Sequence, residues 1–347
     1  MTQPPGLHRA LVFATTALDP LVELSREAER RGFDRVWTTE FLGRDAVARA
    51  LAVALGTERI GVGTGIAYAF TRVPVAMAAL AADVQRLSRG RFTLGLGSGT
   101  RGVRRWYGAE FDRPALRLAA YAAELRQAWN GMEGLGGTGP PPVHGGGLNP
   151  IMVRAVARSC DGVLLHPLGL VRRHLHERVL PAARRGAEER DAPGQIAAWC
   201  ITAIGADGSL AREHARRQAA FYLATPSYGS VVEGTPWAEV AGRVRAAFDA
   251  SERKASWGEL APLVPDGLVD EIALAGTPET VARSAAELEA ELGGLGISEL
   301  VFQTVGAGIE HEEVVRNCGE IIRVLGRTAS RPDGRAPSGA LEPASER

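Results

Sequence analysis

Chemistry in this 347-residue chain has few places to sit. One is the run Trp37-Thr38-Thr39-Glu40-Phe41-Leu42-Gly43-Arg44-Asp45, where Glu40 either works as a general acid or base or pairs with Arg44 as a structural clamp. A second is His166, at the end of the apolar run GVLLHP, which is either a satisfied structural donor or a proton-transfer group. The remaining candidates are glycine runs. Alternating glycines in Gly61-Val62-Gly63-Thr64-Gly65-Ile66-Ala67 mean that something approaches the backbone closely, either a neighbouring element or a flat ligand. The turn Gly97-Ser98-Gly99-Thr100-Arg101-Gly102 matches G-x-G-x-x-G but lacks the context of a dinucleotide fold. Its free N–H groups, two hydroxyls and Arg101, Arg104 and Arg105 make an anion cradle or a solvated arginine face. The densest cluster, Gly145-Gly146-Gly147 after His144, leaves room for a planar ring or a phosphate.

Other chemistries drop out. Of forty basic residues only Lys254 is lysine, in the polar stretch SERKASWGE, so Schiff-base and P-loop mechanisms lack their essential residue. Cys160, Cys200 and Cys318 are far apart and odd in number, which argues against a disulfide framework or zinc site, and no metal is expected. Forty acidic residues balance the basic ones, so neither nucleic acid nor a membrane surface is an expected partner; the ligand is a small molecule. The start MTQPPGLHRALVF is not a signal peptide and no long charge-free apolar run occurs, so the expected location is the cytoplasm.

The elements that must position these residues alternate from the start. The segments HRALVFATT, DRVWTTE, RIGVGTGI, RFTLGLG, PVHGG, GVLLHP, IAAWCITAIG and GISELVFQTVG read as eight buried strands, each followed by at least one helix. Eight such units suit a closed (β/α)8 barrel, a TIM barrel, with an open doubly wound sheet as the alternative. Residues 1–327 read as one barrel domain. The stretch 207–265 is helical and aromatic, carrying Phe221, Tyr222, Tyr228, Trp237, Phe248 and Trp257, and reads as a helical insertion between the seventh and eighth units. Residues 328–347 have the composition of a disordered tail.

The run ERIGVGTGIAYAFTRVPVAMAALAADVQRLSRGRFTLGLGSGT combines a glycine-rich third strand, arginine-x-proline, a helix ending in Q-x-L-S-x-G-R, and L-G-L-G. In this it resembles the luciferase-like monooxygenase superfamily, with EAERRGFDRVW, SCDGVLLHP and AGTPETVARSAAEL as supporting matches over about residues 8–325. The resemblance implies a flavin or deazaflavin oxidoreductase. Coenzyme F420 is the expected cofactor and FMN, with monooxygenase chemistry, the alternative; a coenzyme-binding barrel without redox activity is the third reading. It further implies that Gly65 and Ile66 flank a non-prolyl cis peptide supporting the ring, that Thr39 and Ala67 border it, and that Gly97, Ser98, Gly99, Thr100, Arg101, Gly145, Gly146 and Gly147 meet the ribityl and phosphate portion. A separate reductase would regenerate the reduced coenzyme, and a homodimer is left open. Many deazaflavin-dependent relatives carry a histidine after the second strand where this chain has Glu40 or Arg44, so Glu40 and His166 stand as the candidate catalytic groups.

Overall fold

A computed structural model describes residues 7–15, 17–109, 112–132, 135 and 137–327; the expected tail at 328–347 lies outside them. The strands are β1 (His8–Val12), β2 (Arg35–Thr39), β3 (Gly61–Tyr68), β4 (Phe92–Gly97), β5 (Val143–Gly147), β6 (Gly162–Leu165), β7 (Gln195–Ile204), β8 (Ala273–Gly276) and β9 (Glu299–Thr304). All pairings between them are parallel. β1 to β7 pair in sequence order, and β7 pairs with β9 and β9 with β1, so these eight strands close a barrel.

The strand count corrects the expected eight. β8 is a four-residue strand that pairs with Ile201–Ile204 at the upper end of β7, beyond the point where β6 stops pairing. Ala273-Leu274-Ala275-Gly276 is too short to show a period, and it is wedged between the helix Asp266–Ile272 and the Thr277 cap of the helix Pro278–Gly294. Between β7 and β8 the chain runs through the helices Gly208–Leu223, Ala238–Ala250 and Asp266–Ile272 with shorter turns.

Local chemistry sets the helix starts. Asp45 accepts from the Ala48 amide at 2.8 Å and Asn149 from that of Met152 at 2.9 Å. Pro74, Pro114, Pro150 and Pro278 occupy first-turn positions where a missing N–H costs nothing. The apolar faces of these helices and the outward faces of the strands form one continuous core layer. A second, smaller core fills the barrel itself: Ala10, Val12, Trp37, Leu164, Ala197, Trp199 and Val301.

Two indoles in that inner core, Trp37 from the adjacent strand and Trp199 from across the barrel, fix the β3 wall. A Cβ on Gly63 would overlap the Trp37 ring, and one on Gly65 the Trp199 ring. The ladder is irregular here: Thr38 pairs with Thr64 but Thr39 with Ile66, so Gly65 is the extra residue of a β-bulge. On the other side of β3 the Thr64 hydroxyl both accepts from the Gly95 amide and donates to the Gly95 carbonyl, at 2.8 Å each, filling the break in the β3–β4 ladder. No peptide bond among the described residues is cis, which corrects the expectation for Gly65–Ile66. A bulge with a hydroxyl in the gap accommodates the irregularity.

At the lower end of the barrel Trp37 Nε1 donates to Glu299 Oε1 at 2.5 Å, and Arg35 lies 3.6 Å from the other Glu299 oxygen with its guanidinium 4.9 Å from the Trp37 ring. His144, 2% exposed, stacks obliquely on Trp37 at 5.8 Å, and its burial pushes the imidazole down to about 3. The charges at this end of the barrel thus stay below the Trp37 level.

The glycine slots predict opposite outcomes for two Gly→Ala changes. In Gly95→Ala the new methyl meets the Thr64 carbonyl oxygen, and the variant should lose about 3 kcal/mol or more, or fail to fold. Gly242→Ala, on the exposed face of Ala238–Ala250 with nothing within 4 Å, should gain about 0.5–1 kcal/mol. Urea melts of the two variants check both signs.

Candidate active site

The residues singled out from the sequence gather at the C-terminal ends of the strands, where barrels of this kind keep their chemistry. Ile66 lies at the centre of the inner wall. Its side chain covers both Gly97 and Gly146, since a Cβ at either would come within 2.5 Å and 2.8 Å of Ile66 carbons. Gly145 and Gly147 point the other way, toward Val156 and Val153 of the helix Pro150–Ser159, so their smallness serves strand–helix packing. Ala67 likewise faces the outer core layer. Thr39 sits at the top of β2, half-buried beside Ile66.

The turn after β4 is partly self-satisfied. Thr100 caps the short helix Arg101–Trp106 by accepting from the Val103 amide at 3.3 Å, and the Ser98 hydroxyl donates to the Gly99 carbonyl at 3.2 Å. Gly99 has φ +65°, a conformation that favours glycine. Arg101 and Arg105 are exposed, but Arg104 is 1% exposed with its guanidinium 5.9 Å from the Phe70 ring, so it does not stand with them.

Glu40 is 4% exposed and fully engaged. It accepts Arg72 Nη1 on both oxygens at 3.0 Å and the Tyr68 amide on Oε2 at 3.0 Å. The clamp foreseen for Glu40 therefore exists, but its partner is Arg72 on the far side of β3 and not Arg44. Arg72 also bonds Asp45. Burial pushes the Glu40 carboxyl above its ordinary value, with Arg72 and the Tyr68 amide holding it back.

His166 caps the barrel from the end of β6. Its Nδ1 accepts the Leu168 amide at 3.2 Å, which assigns the ring proton to Nε2. The ring packs edge-on against Tyr222 at 4.3 Å and obliquely on Tyr228 at 4.6 Å, and this desolvation pushes it down to about 3. Tyr222 in turn accepts from Gln303 Nε2 of β9. Phe221, Trp257 and Phe248 continue the aromatic cluster outward, with Phe221–Trp257 at 5.2 Å and Phe248–Trp257 at 5.0 Å.

Two residues were missed by the sequence reading. Arg72 gave only the weak signal of arginine-x-proline after the third strand. Trp199, 7% exposed, lies across the barrel against Gly65, and its indole N–H has no hydrogen-bond partner among the described residues. The signal was a single tryptophan in the otherwise small and apolar strand IAAWCITAIG, facing an alternating glycine strand. A groove of about 600 Å³ on the outer helical wall, around Pro150, Ile151 and Pro181, includes none of these residues. Among the described residues no helix is long and apolar enough to cross a membrane.

Comparison with known proteins identifies the family and the fold. Residues 2–296 match the family model described as luciferase-like monooxygenase. A Mycobacterium tuberculosis protein whose name assigns it provisionally to the coenzyme F420-dependent oxidoreductases is 29% identical over 329 residues, 83% of this chain and 89% of that protein. The 5,10-methylenetetrahydromethanopterin reductase of Archaeoglobus fulgidus is 27% identical over 280 residues, 75% of this chain and 83% of that protein. Among solved structures, the coenzyme F420 dependent tetrahydromethanopterin reductase from Methanopyrus kandleri superposes with a TM-score of 0.72 at 20% identity, covering 92% of this chain and 98% of that one. The chain belongs to the luciferase-like monooxygenase family and is an oxidoreductase.

The reassigned ion pair predicts which arginine matters for stability. Arg72→Gln should cost about 2 kcal/mol, because it leaves a buried carboxylate without its counter-charge, whereas Arg44→Gln should change stability by less than about 0.5 kcal/mol. Equal losses in chemical denaturation would return the clamp to Arg44.

Proposed function

We propose that this protein moves a hydride between coenzyme F420 and a small organic substrate bound at the barrel mouth. The observation that carries the reading is an uncharged inner wall with a spare donor. Thr39, Ile66, Gly97, Gly146, neutral His166 and Gln303 line the upper barrel, and the Trp199 indole N–H is buried there without a partner. Such a surface suits a planar, uncharged ring with hydrogen-bond acceptors on its edge. The names of the Mycobacterium and Methanopyrus proteins support F420 over FMN.

In this reading Thr39, Gly65, Ile66 and Ala67 border the ring through side chain or backbone, and Trp199 donates to its edge. The Gly97–Arg101 turn and the Gly145–Gly147 backbone receive the ribityl and phosphate portion. When bound, the coenzyme supplies or accepts the hydride. The protein's own residues orient the two reacting carbons, shield them with the aromatic cluster from the β7–β8 segment, and place a hydrogen-bond donor at the reacting oxygen. The His166 Nε2–H supplies a hydrogen bond: a neutral imidazole held in one tautomer by the Leu168 amide donates to the substrate oxygen and stabilises the charge that develops on it as the hydride moves, while the proton itself exchanges with solvent at the mouth. Glu40 is a positioning residue, fixing Arg72 and the Tyr68 amide at the rim.

Titration of the protein with F420 and with FMN, each followed by its visible absorption, tests the cofactor; saturable binding of FMN alone would overturn the reading. With F420 saturating, His166→Ala should lower turnover by about 10²-fold while leaving coenzyme affinity unchanged. Because His166 is neutral above about pH 3, the wild-type rate should show no limb from this group between pH 5 and 8. A limb near the ordinary histidine value that disappears in His166→Ala would remove the assignment.

A further inference from the structure

Arg44 is the cation that the Glu40 reassignment sets free. The two carboxylates beside it in sequence, Glu40 and Asp45, are both held by Arg72, and among the described residues Arg44 has no acidic partner. It closes the turn after β2, exchanging backbone hydrogen bonds with Phe41 at 3.1 and 2.8 Å, and its side chain lies half-buried over the Phe41 ring at 5.8 Å. One guanidinium nitrogen reaches the Ala14 carbonyl at 3.3 Å, just past β1. The hydroxyls of Tyr68 and Tyr222 are close enough to interact with it electrostatically, and so is a second cation, buried Arg49. Burial pushes Arg44 below its ordinary value, the mark of a charge held partly away from water. A guanidinium without a carboxylate partner among the described residues, beside a like charge and with tyrosine rings on its flank, is an anion receptor with an apolar wall.

We propose that the substrate is an organic carboxylate, its anionic oxygens on the Arg44 guanidinium and its planar or apolar body among Tyr68, Tyr222 and Tyr228. This rests on the reading that the coenzyme ring lies deeper, on the Ile66–Trp199 wall; it adds the chemical class of what stands above it. The Tyr222 and Tyr228 rings that flank His166 then bring the substrate within the reach of the Nε2 proton. The same anion-binding chemistry could be met by a phosphate or carboxylate of the coenzyme itself, and the test separates the two sources.

Benzoate and its neutral isostere benzamide are titrated calorimetrically against the F420-loaded protein. Wild type should bind benzoate at least about ten-fold tighter than benzamide, Arg44→Gln should abolish the difference, and Arg44→Lys should keep part of it. F420 affinity should be unchanged in Arg44→Gln. Equal binding of the two probes by wild type, no binding of either, or a preference that survives in Arg44→Gln overturns the proposal; so does loss of F420 affinity in that variant, which would give the anion to the coenzyme. If Arg44→Gln does not fold, the wild-type ratio and Arg44→Lys still decide. Repeating the pair on coenzyme-free protein distinguishes the failures: a benzoate preference that depends on Arg44 without any F420 binding would leave the carboxylate site standing and sink the coenzyme reading.

Discussion

Rings filling glycine slots across a closed barrel are the constraint on which the rest of the structure depends. Trp37 lies over Gly63, its ladder neighbour on β3, and Trp199 reaches across the interior to Gly65, so neither position has room for a side chain. The same fit is repeated one level higher, where Ile66 covers Gly97 and Gly146. Close packing tolerates no extra methyl at such contacts, so the inner wall is set by steric necessity as much as by any ligand. The consequence for chemistry is a floor of aromatic and aliphatic carbon, from which a single unsatisfied indole N–H remains.

Charge is layered around that floor. Below it, Arg35 and Glu299 are paired and His144 is held neutral. Above it, the rim carries Glu40, Arg72 and Asp45 as one connected group, with Arg44 and Arg49 beside them. Between the two layers the titratable group is His166, which burial among tyrosines keeps uncharged. A neutral middle is the environment in which a hydrogen bond to a reacting oxygen is strongest.

Much of this was legible in the sequence because it is written in short-range signals. Alternating apolar runs and helical segments gave the eight barrel strands, and His166 and the glycine runs fell at strand ends. What was not legible depends on distance across the fold. Whether a glycine yields to a neighbour or to a ligand cannot be read locally: Gly145 and Gly147 pack on a helix, while Gly146 lies under Ile66. The partner of Glu40 is 32 positions away, so the nearby Arg44 looked like the natural choice. β8 was hidden because four residues show no period, and the strand irregularity at Gly65, expected as a cis peptide, is a bulge completed by the hydroxyl of adjacent Thr64, which bonds Gly95 on the next strand.

The central claim is that the coenzyme ring lies on the wall formed by Ile66 and Trp199. It is tested most directly by following the Trp199 indole N–H in ¹⁵N-edited spectra, assigned by its absence in Trp199→Phe, while F420 is added. The account predicts a saturable downfield shift and slowed solvent exchange as the orphaned donor gains an acceptor, with the same midpoint as coenzyme binding. An indole resonance that stays in place while F420 binds would contradict it, because the ring would then occupy some other part of the mouth.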